Sequence, residues 1–236
     1  MFLIVINNIL FIIIVFLFVV VLSLLITLVY YYSNYIKESK SQKKWIYSEM
    51  NKAAKKNCIV FLGDSLTDFY RTHEFFLKSD IYNRGIASDT TDDVLSRLDD
   101  NVINISPRKI FLQIGTNDLG NKKSKEYVVN NIKKIINRIK EAIPNAQIFV
   151  ISLYPVNSSA IALSKIIVGR RKNSDINFIN NQLIKICDNN NIKYIDVNSK
   201  LKDGTGNLMK EYTIEGLHIS ILGYSLITEI LQPYVF

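Results

Sequence analysis

The residues best suited to chemistry in this chain are one serine, one histidine and the small groups around them. Gly63-Asp64-Ser65-Leu66 follows the apolar run Cys58-Ile-Val-Phe-Leu62, so Ser65 falls on a turn between a buried strand and a helix. A serine there is placed to be a nucleophile: its own N–H can donate to an oxyanion, and a helix start favours negative charge. The same position suits a serine that merely caps the next helix, and the motif alone does not choose. A serine nucleophile needs a base, and the chain holds two histidines, His73 and His218. His73, beside Glu74, reads as solvated surface on the helix after Ser65. His218 stands in a loop with the carboxylate of Glu215 three residues before it, and is the better base.

Two further clusters could stabilise charge. Asn83-Arg84-Gly85 closes a second apolar stretch, where a glycine lets a backbone N–H approach a ligand closely. Gly115-Thr116-Asn117-Asp118 closes a third, and the Asn117 amide is another donor for a developing oxyanion. Four of the nine glycines (63, 85, 115 and 216) fall in these four clusters, so backbone freedom gathers where the chemistry does.

The elements that must position these groups follow from periodicity. Residues 58–62, 110–114, 147–151 and 193–197 are continuous apolar or β-type runs, the pattern of strands buried on both faces, and 80–83 is a shorter fifth. Between them lie helices. Val94, Leu95, Leu98 and Val102 share one face behind Thr90 and Thr91, which can cap it. Val128, Ile132, Ile135, Ile136, Ile139 and Ile143 share another, ended by Pro144; Ile176, Ile179, Leu183 and Cys187 mark a third, and Ser220 can cap a last helix to about Gln232. Strands alternating with helices imply an α/β fold with a parallel sheet covered on both faces, whose ligands bind at the carboxyl ends of the strands. Residues 155–173 form the one long irregular insertion, and no internal repeat is visible.

Charge is distributed unevenly. Residues 1–36 contain no Asp, Glu, Lys or Arg. Phe2–Tyr30 is long enough to span a hydrocarbon core of about 30 Å, and Tyr30, Tyr31 and Tyr32 form an interfacial anchor before Lys37, Lys40, Lys43 and Lys44. A positive n-region, a short apolar core and a small-x-small cleavage site are all lacking, so an uncleaved single-pass anchor is expected, contacting the membrane through residues 2–32. The expected organisation is an anchor (1–36), a basic stalk (37–56) and a catalytic domain (57–236). No second span of sufficient length follows, and the aromatic and aliphatic content excludes a disordered chain. Of the net charge of +8, the stalk carries 7 − 2 = +5 and residues 57–236 carry 22 − 19 = +3. The body has no basic stripe, so nucleic acid is not an expected partner. Cys58 and Cys187 have no metal-ligand or Cys-x-x-Cys spacing and read as small buried hydrophobes.

The order Gly-Asp-Ser-Leu, then Gly, then Gly-Thr-Asn-Asp, then acid-x-x-His resembles the SGNH (GDSL-type) esterase and lipase family over about residues 57–235. It is most similar to the branch of platelet-activating-factor acetylhydrolase and bacterial carbohydrate O-acetylesterases. The resemblance implies a three-layer α/β/α sandwich on a five-stranded parallel sheet. It also implies Ser65 as nucleophile, His218 as base with Glu215 as the orienting acid, and an oxyanion hole of Ser65 N–H, Gly85 N–H and the Asn117 amide, with no metal or organic cofactor. Two departures stand out: Glu215 where the family has Asp, and Ala87-Ser88 where it has a Ser-Gly pair.

The expected activity is hydrolysis of short acyl esters, acetyl above all, on a carbohydrate or lipid. A lysophospholipase or thioesterase is the alternative enzyme, and a tethered binding protein without turnover the alternative class. The flanking lysines favour a cytoplasmic domain by the positive-inside rule, whereas the resemblance favours the outside; the reading adopted is the outer face of a bacterial plasma membrane. Oligomeric state is not legible.

Overall fold

The structure, a computed structural model, describes residues 2–77, 80–190 and 192–236. It divides into two compact units, Met1–Gln42 and Lys43–Phe236.

The first unit lies within helix α1 (Phe2–Asn51). Its apolar side chains from Ile6 to Val29 are exposed throughout, as expected of a helix without a protein partner around it. This is the one helix among the described residues long and apolar enough to cross a membrane.

The second unit is built on five parallel strands: β1 (Ile59–Gly63), β2 (Ile81–Gly85), β3 (Lys109–Gln113), β4 (Gln147–Ile151) and β5 (Lys193–Ile195), in the order β2-β1-β3-β4-β5. Alternation along each strand divides the core in two. Val60, Leu62, Ile110 and Leu112 face one layer; Ile59, Phe61, Phe111 and Phe149 face the other. The first layer is covered by α4 (Thr91–Asn101), α6 (Lys125–Ala142) and α8 (Asn173–Asn190), through the Val, Ile and Leu positions spaced for one helix face. The second holds the stacked rings Phe61, Phe111 and Phe149, 4.7 and 4.6 Å apart, under α9 (Ile221–Val235). Cys58 and Cys187 are free thiols inside the first layer.

Local signals match these elements. Thr90 caps α4 in a full capping box with Asp93, and Ser220 accepts from Gly223 N–H to cap α9, which runs on to Val235 through Pro233. Short helices follow three strands: α2 (Ser65–Asp68) and α3 (Thr72–Phe76) after β1, α5 (Thr116–Gly120) after β3, and α7 (Ser164–Val168) inside the 155–173 insertion.

The second strand runs to Gly85, so the Asn83-Arg84-Gly85 cluster closes it as the sequence implies. Within the basic stalk, residues 43–51 pack on β2. Tyr47 is buried and its hydroxyl donates to the Gly85 carbonyl at 2.9 Å. The Arg84 guanidinium lies between the Tyr47 and Tyr82 rings (4.8 and 5.1 Å) and donates to Asn51 Oδ1 at 2.6 Å, while Lys43 pairs with Asp68. Burial pushes the Tyr47 phenol up to about 12.

Candidate active site

The carboxyl ends of β1, β2 and β3 and the loop before α9 meet at one site. Ser65 opens α2 and is buried, with Oγ 3.2 Å from His218 Nε2. His218 Nδ1 lies 2.6 Å from Glu215 Oε1, and the same oxygen accepts the His218 backbone N–H at 3.0 Å. A carboxylate can only accept, so Nδ1 carries the proton and Nε2 is left to accept from the serine hydroxyl.

A tight loop makes this possible. Thr213 and Ile219 bridge its base, Thr213 Oγ1 donates to the His218 carbonyl at 2.8 Å, and Gly216 N–H donates to Thr213 Oγ1 at 2.7 Å. Gly216 takes φ +98° with its Cα against the Asn157 carbonyl, where any Cβ would sit 2.0 Å from that oxygen. The Glu215 carboxylate is held on its own loop by the His218 backbone N–H. The Phe69 ring lies 5.4 Å from the imidazole and is half exposed.

Asp64 precedes the serine and is fully buried. Its Oδ1 accepts from Leu66 N–H at 2.9 Å, and among the described residues Oδ2 has no protein partner. Desolvation pushes this carboxyl up to about 7. Four residues of α2 make a very short helix, so the dipole expected behind Ser65 is small.

The other expected donors separate. Asn117 lies in the first turn of α5, where Nδ2 donates to the Asp89 carbonyl at 3.0 Å and Oδ1 accepts from Arg171 Nη2 at 2.9 Å; one Nδ2 proton is left over. The Gly85 N–H donates to Asn83 Oδ1 at 2.8 Å. What Gly85 supplies is room: a Cβ there would lie 2.2 Å from Asp68 N and 2.7 Å from the Thr67 carbonyl carbon, inside the backbone of α2. The glycine seats the helix that carries Ser65. Asn83 completes the seat by donating from Nδ2 to the Thr67 and Tyr70 carbonyls at 2.6 and 2.9 Å. His73 is exposed on α3, a helix separate from the one that begins at Ser65.

Several contributors carry no motif. Arg97, buried with Asp89 in an ion pair of 2.7 Å, also donates to the carbonyls of Gly63 and Arg84 and so ties the ends of β1 and β2. Asp118 accepts from Thr91 N–H and Oγ1 at 2.9 and 2.6 Å, tying the β3 turn to α4. Ser88, in the unusual Ala87-Ser88 pair, holds φ +67°, a left-handed backbone that glycine adopts at lower cost. Its only sequence signal was that departure, while Arg97 and Arg171 sit in stretches with no chemical pattern at all. Among the described residues no group of His, Cys, Asp and Glu could hold a metal ion.

The family model described as GDSL-like Lipase/Acylhydrolase matches residues 61–226. The chain belongs to that family. As a GDSL-like acylhydrolase it is 28% identical over 174 residues to platelet-activating factor acetylhydrolase IB subunit alpha1 of Bos taurus, across 71% of this chain and 70% of that protein. A solved structure from Streptococcus pneumonia, provisionally assigned as a platelet activating factor, is 31% identical with a TM-score of 0.80, over 86% of this chain and 96% of the other. A GDSL-like lipase of Bacteroides thetaiotaomicron shares the fold at 24% identity, with a TM-score of 0.71 over 81% of this chain and 96% of its own. The GDSL-like fold, the five-stranded parallel sheet and membership of a hydrolase family are thus common ground.

Proposed function

We propose that this protein is a serine esterase that removes short acyl groups, acetyl first among them, from a hydroxyl of a carbohydrate or lipid. The observation that carries the reading is the chain of contacts from Ser65 Oγ through the His218 imidazole to Glu215 Oε1. In this mechanism His218 Nε2 takes the hydroxyl proton as Oγ attacks the ester carbonyl, and Glu215 holds the imidazole in the required tautomer and stabilises the imidazolium. The tetrahedral oxyanion receives hydrogen bonds from the Ser65 N–H and the second Nδ2 proton of Asn117. Collapse expels the alcohol, which collects the proton from His218, and leaves Ser65 acylated. Water, activated by the same imidazole, then attacks the acyl carbon and releases the acid.

The apolar N-terminal helix supports an uncleaved membrane anchor, which would hold the esterase beside acylated envelope glycans or lipids at the outer face. One observation favours the longer-chain alternative, a lysophospholipase or thioesterase: the half-exposed Phe69 ring beside the imidazole is apolar surface that a longer acyl chain would cover.

The test is a substrate series with the full-length chain in detergent, comparing acetyl, butyryl and long-chain esters, with a fluorophosphonate probe as the check on serine activation. Labelling of Ser65 with a preference for acetyl esters is the expected result. A preference for long chains moves the reading to the lipid enzyme, and no labelling moves it to a binding protein.

A further inference from the structure

Arg171 enters the site from the end of the 155–173 insertion, remote in sequence from every motif. Its guanidinium makes four side-chain hydrogen bonds. Nη2 donates to Asn117 Oδ1 at 2.9 Å, Nε to the Thr116 carbonyl at 2.9 Å, and Nη1 to the carbonyls of Val168 and Ile167 at 3.1 and 3.3 Å. All four acceptors are neutral, and among the described residues no carboxylate forms an ion pair with it. Burial lowers its pKa, though a guanidinium remains protonated at any working pH.

The chemistry of these partners fixes the Asn117 amide without ambiguity. A guanidinium can only donate, so the atom facing it is the amide oxygen; the Asp89 carbonyl can only accept, so the atom facing it is the amide nitrogen. Clamped from both sides, the amide cannot flip, and its remaining Nδ2 proton has one direction. A charge-assisted bond to the oxygen also draws electron density from the nitrogen, which strengthens that proton as a donor. Packing preserves the clamp. A Cβ on Gly120 would lie 2.7–3.0 Å from the guanidinium atoms, so the bare α5 backbone leaves the space in which Arg171 lies flat.

We propose that Arg171 is a positioning residue of the oxyanion hole, orienting and polarising the Asn117 amide from the far end of the insertion. This rests on the esterase reading above. It makes the 155–173 insertion the segment that sets the strength of one oxyanion donor.

The experiment is a double-mutant cycle on acetyl-ester hydrolysis by the full-length chain in detergent, with Arg171→Gln, Asn117→Ala and the combined variant. Arg171→Gln is expected to lower kcat by about ten- to a hundredfold with KM changed less than about threefold, and to cost less than about threefold once Asn117 is alanine. Arg171→Lys, which keeps the charge but not the planar fork, should fall between wild type and Gln. Gly120→Ala provides an independent route: it leaves Arg171 in the sequence, displaces its guanidinium, and should reproduce the kcat loss even if Arg171→Gln fails to fold. Additive losses in the cycle, a pure KM effect, or full activity of Gly120→Ala would overturn the proposal. Fluorophosphonate labelling separates the two levels. Labelled Ser65 with an additive cycle removes only the role of Arg171, whereas absence of labelling removes the esterase reading and this inference with it.

Discussion

Glu215 and His218 are joined twice through one atom: Oε1 of the carboxylate accepts both the Nδ1 proton, at 2.6 Å, and the backbone N–H, at 3.0 Å, of the same histidine. The second bond fixes the carboxylate in the loop, so the longer glutamate side chain need not wander in search of the imidazole. Glu215 and His218 form one local unit, and Ser65 is brought to that unit from 153 residues away.

Because this unit and Ser65 are aligned, Ser65→Ala should lower acetyl-ester turnover by at least about 10³-fold without altering the thermal midpoint by more than a few degrees. His218→Ala should match it. His73→Ala, on exposed α3, should leave turnover within about twofold. Residual activity of Ser65→Ala within tenfold of wild type would remove the nucleophile assignment.

Glu215→Gln keeps the shape but offers only a neutral oxygen to Nδ1, and should lower kcat by about 10²-fold or more. Glu215→Asp keeps the charge and can shift with the loop, so it should retain activity within about tenfold. Steady-state kinetics across pH decide the matter, since a Gln variant fully active at every pH would exclude Glu215 from the relay.

Gly85→Ala drives a methyl group into the backbone of α2, an overpacking of about 1–3 kcal/mol or more, and should lower both the melting temperature and turnover by displacing Ser65. Asn83→Ala removes three hydrogen bonds around the same turn and should destabilise in the same direction. If Gly85→Ala left stability unchanged and abolished turnover alone, the glycine would be an oxyanion donor rather than a seat.

Asp64 gives a pH dependence of stability whose sign is fixed. Its folded pKa is raised to about 7 from the ordinary 3.8, so between these values the folded state binds the proton more tightly than the unfolded chain. Its contribution is complete below about pH 4 and is lost as pH rises through 7, with a slope of at most about 1.4 kcal/mol per pH unit. Asp64→Asn should flatten the decline in thermal midpoint between pH 4 and 7. An identical pH profile in the variant would show that this carboxyl is ionised throughout.

Much of this was legible in the sequence because apolar periodicity reports burial directly. Cys58–Leu62 and Gln147–Ile151 announce buried strands, and Thr90 with Thr91 announces a helix start; each lies within a residue or two of its place. Ser65, His218 and Glu215 were legible because their types are rare or their spacing is local. Gly85 shows the limit. Its type said only that something passes close by, and whether that neighbour is a substrate oxygen or the α2 backbone is decided by tertiary packing. Arg171 was invisible for a related reason: an arginine in an irregular stretch has no period, and its meaning comes entirely from Asn117, 54 positions earlier. The packing of the stalk was not legible, because its lysines signal water and lipid, whereas Tyr47 and Asn51, which dock it, carry no pattern.

That docked segment changes where the enzyme begins. Tyr47 reaches the carbonyl of Gly85, the residue on which the serine-bearing turn sits, so the strut under Ser65 is contributed by the end of the helix that starts as the hydrophobic N-terminus. A chain started at Asn57, at the first strand, would lose the Tyr47 hydroxyl, the Asn51 acceptor for Arg84 and the Lys43 partner of Asp68 together. The shortest piece that keeps the floor of the site intact starts at Lys43. By the same geometry, a protease cut between Asn51 and Cys58 would release the hydrolase body without one of its own walls, and a cut before Lys43 would release it whole.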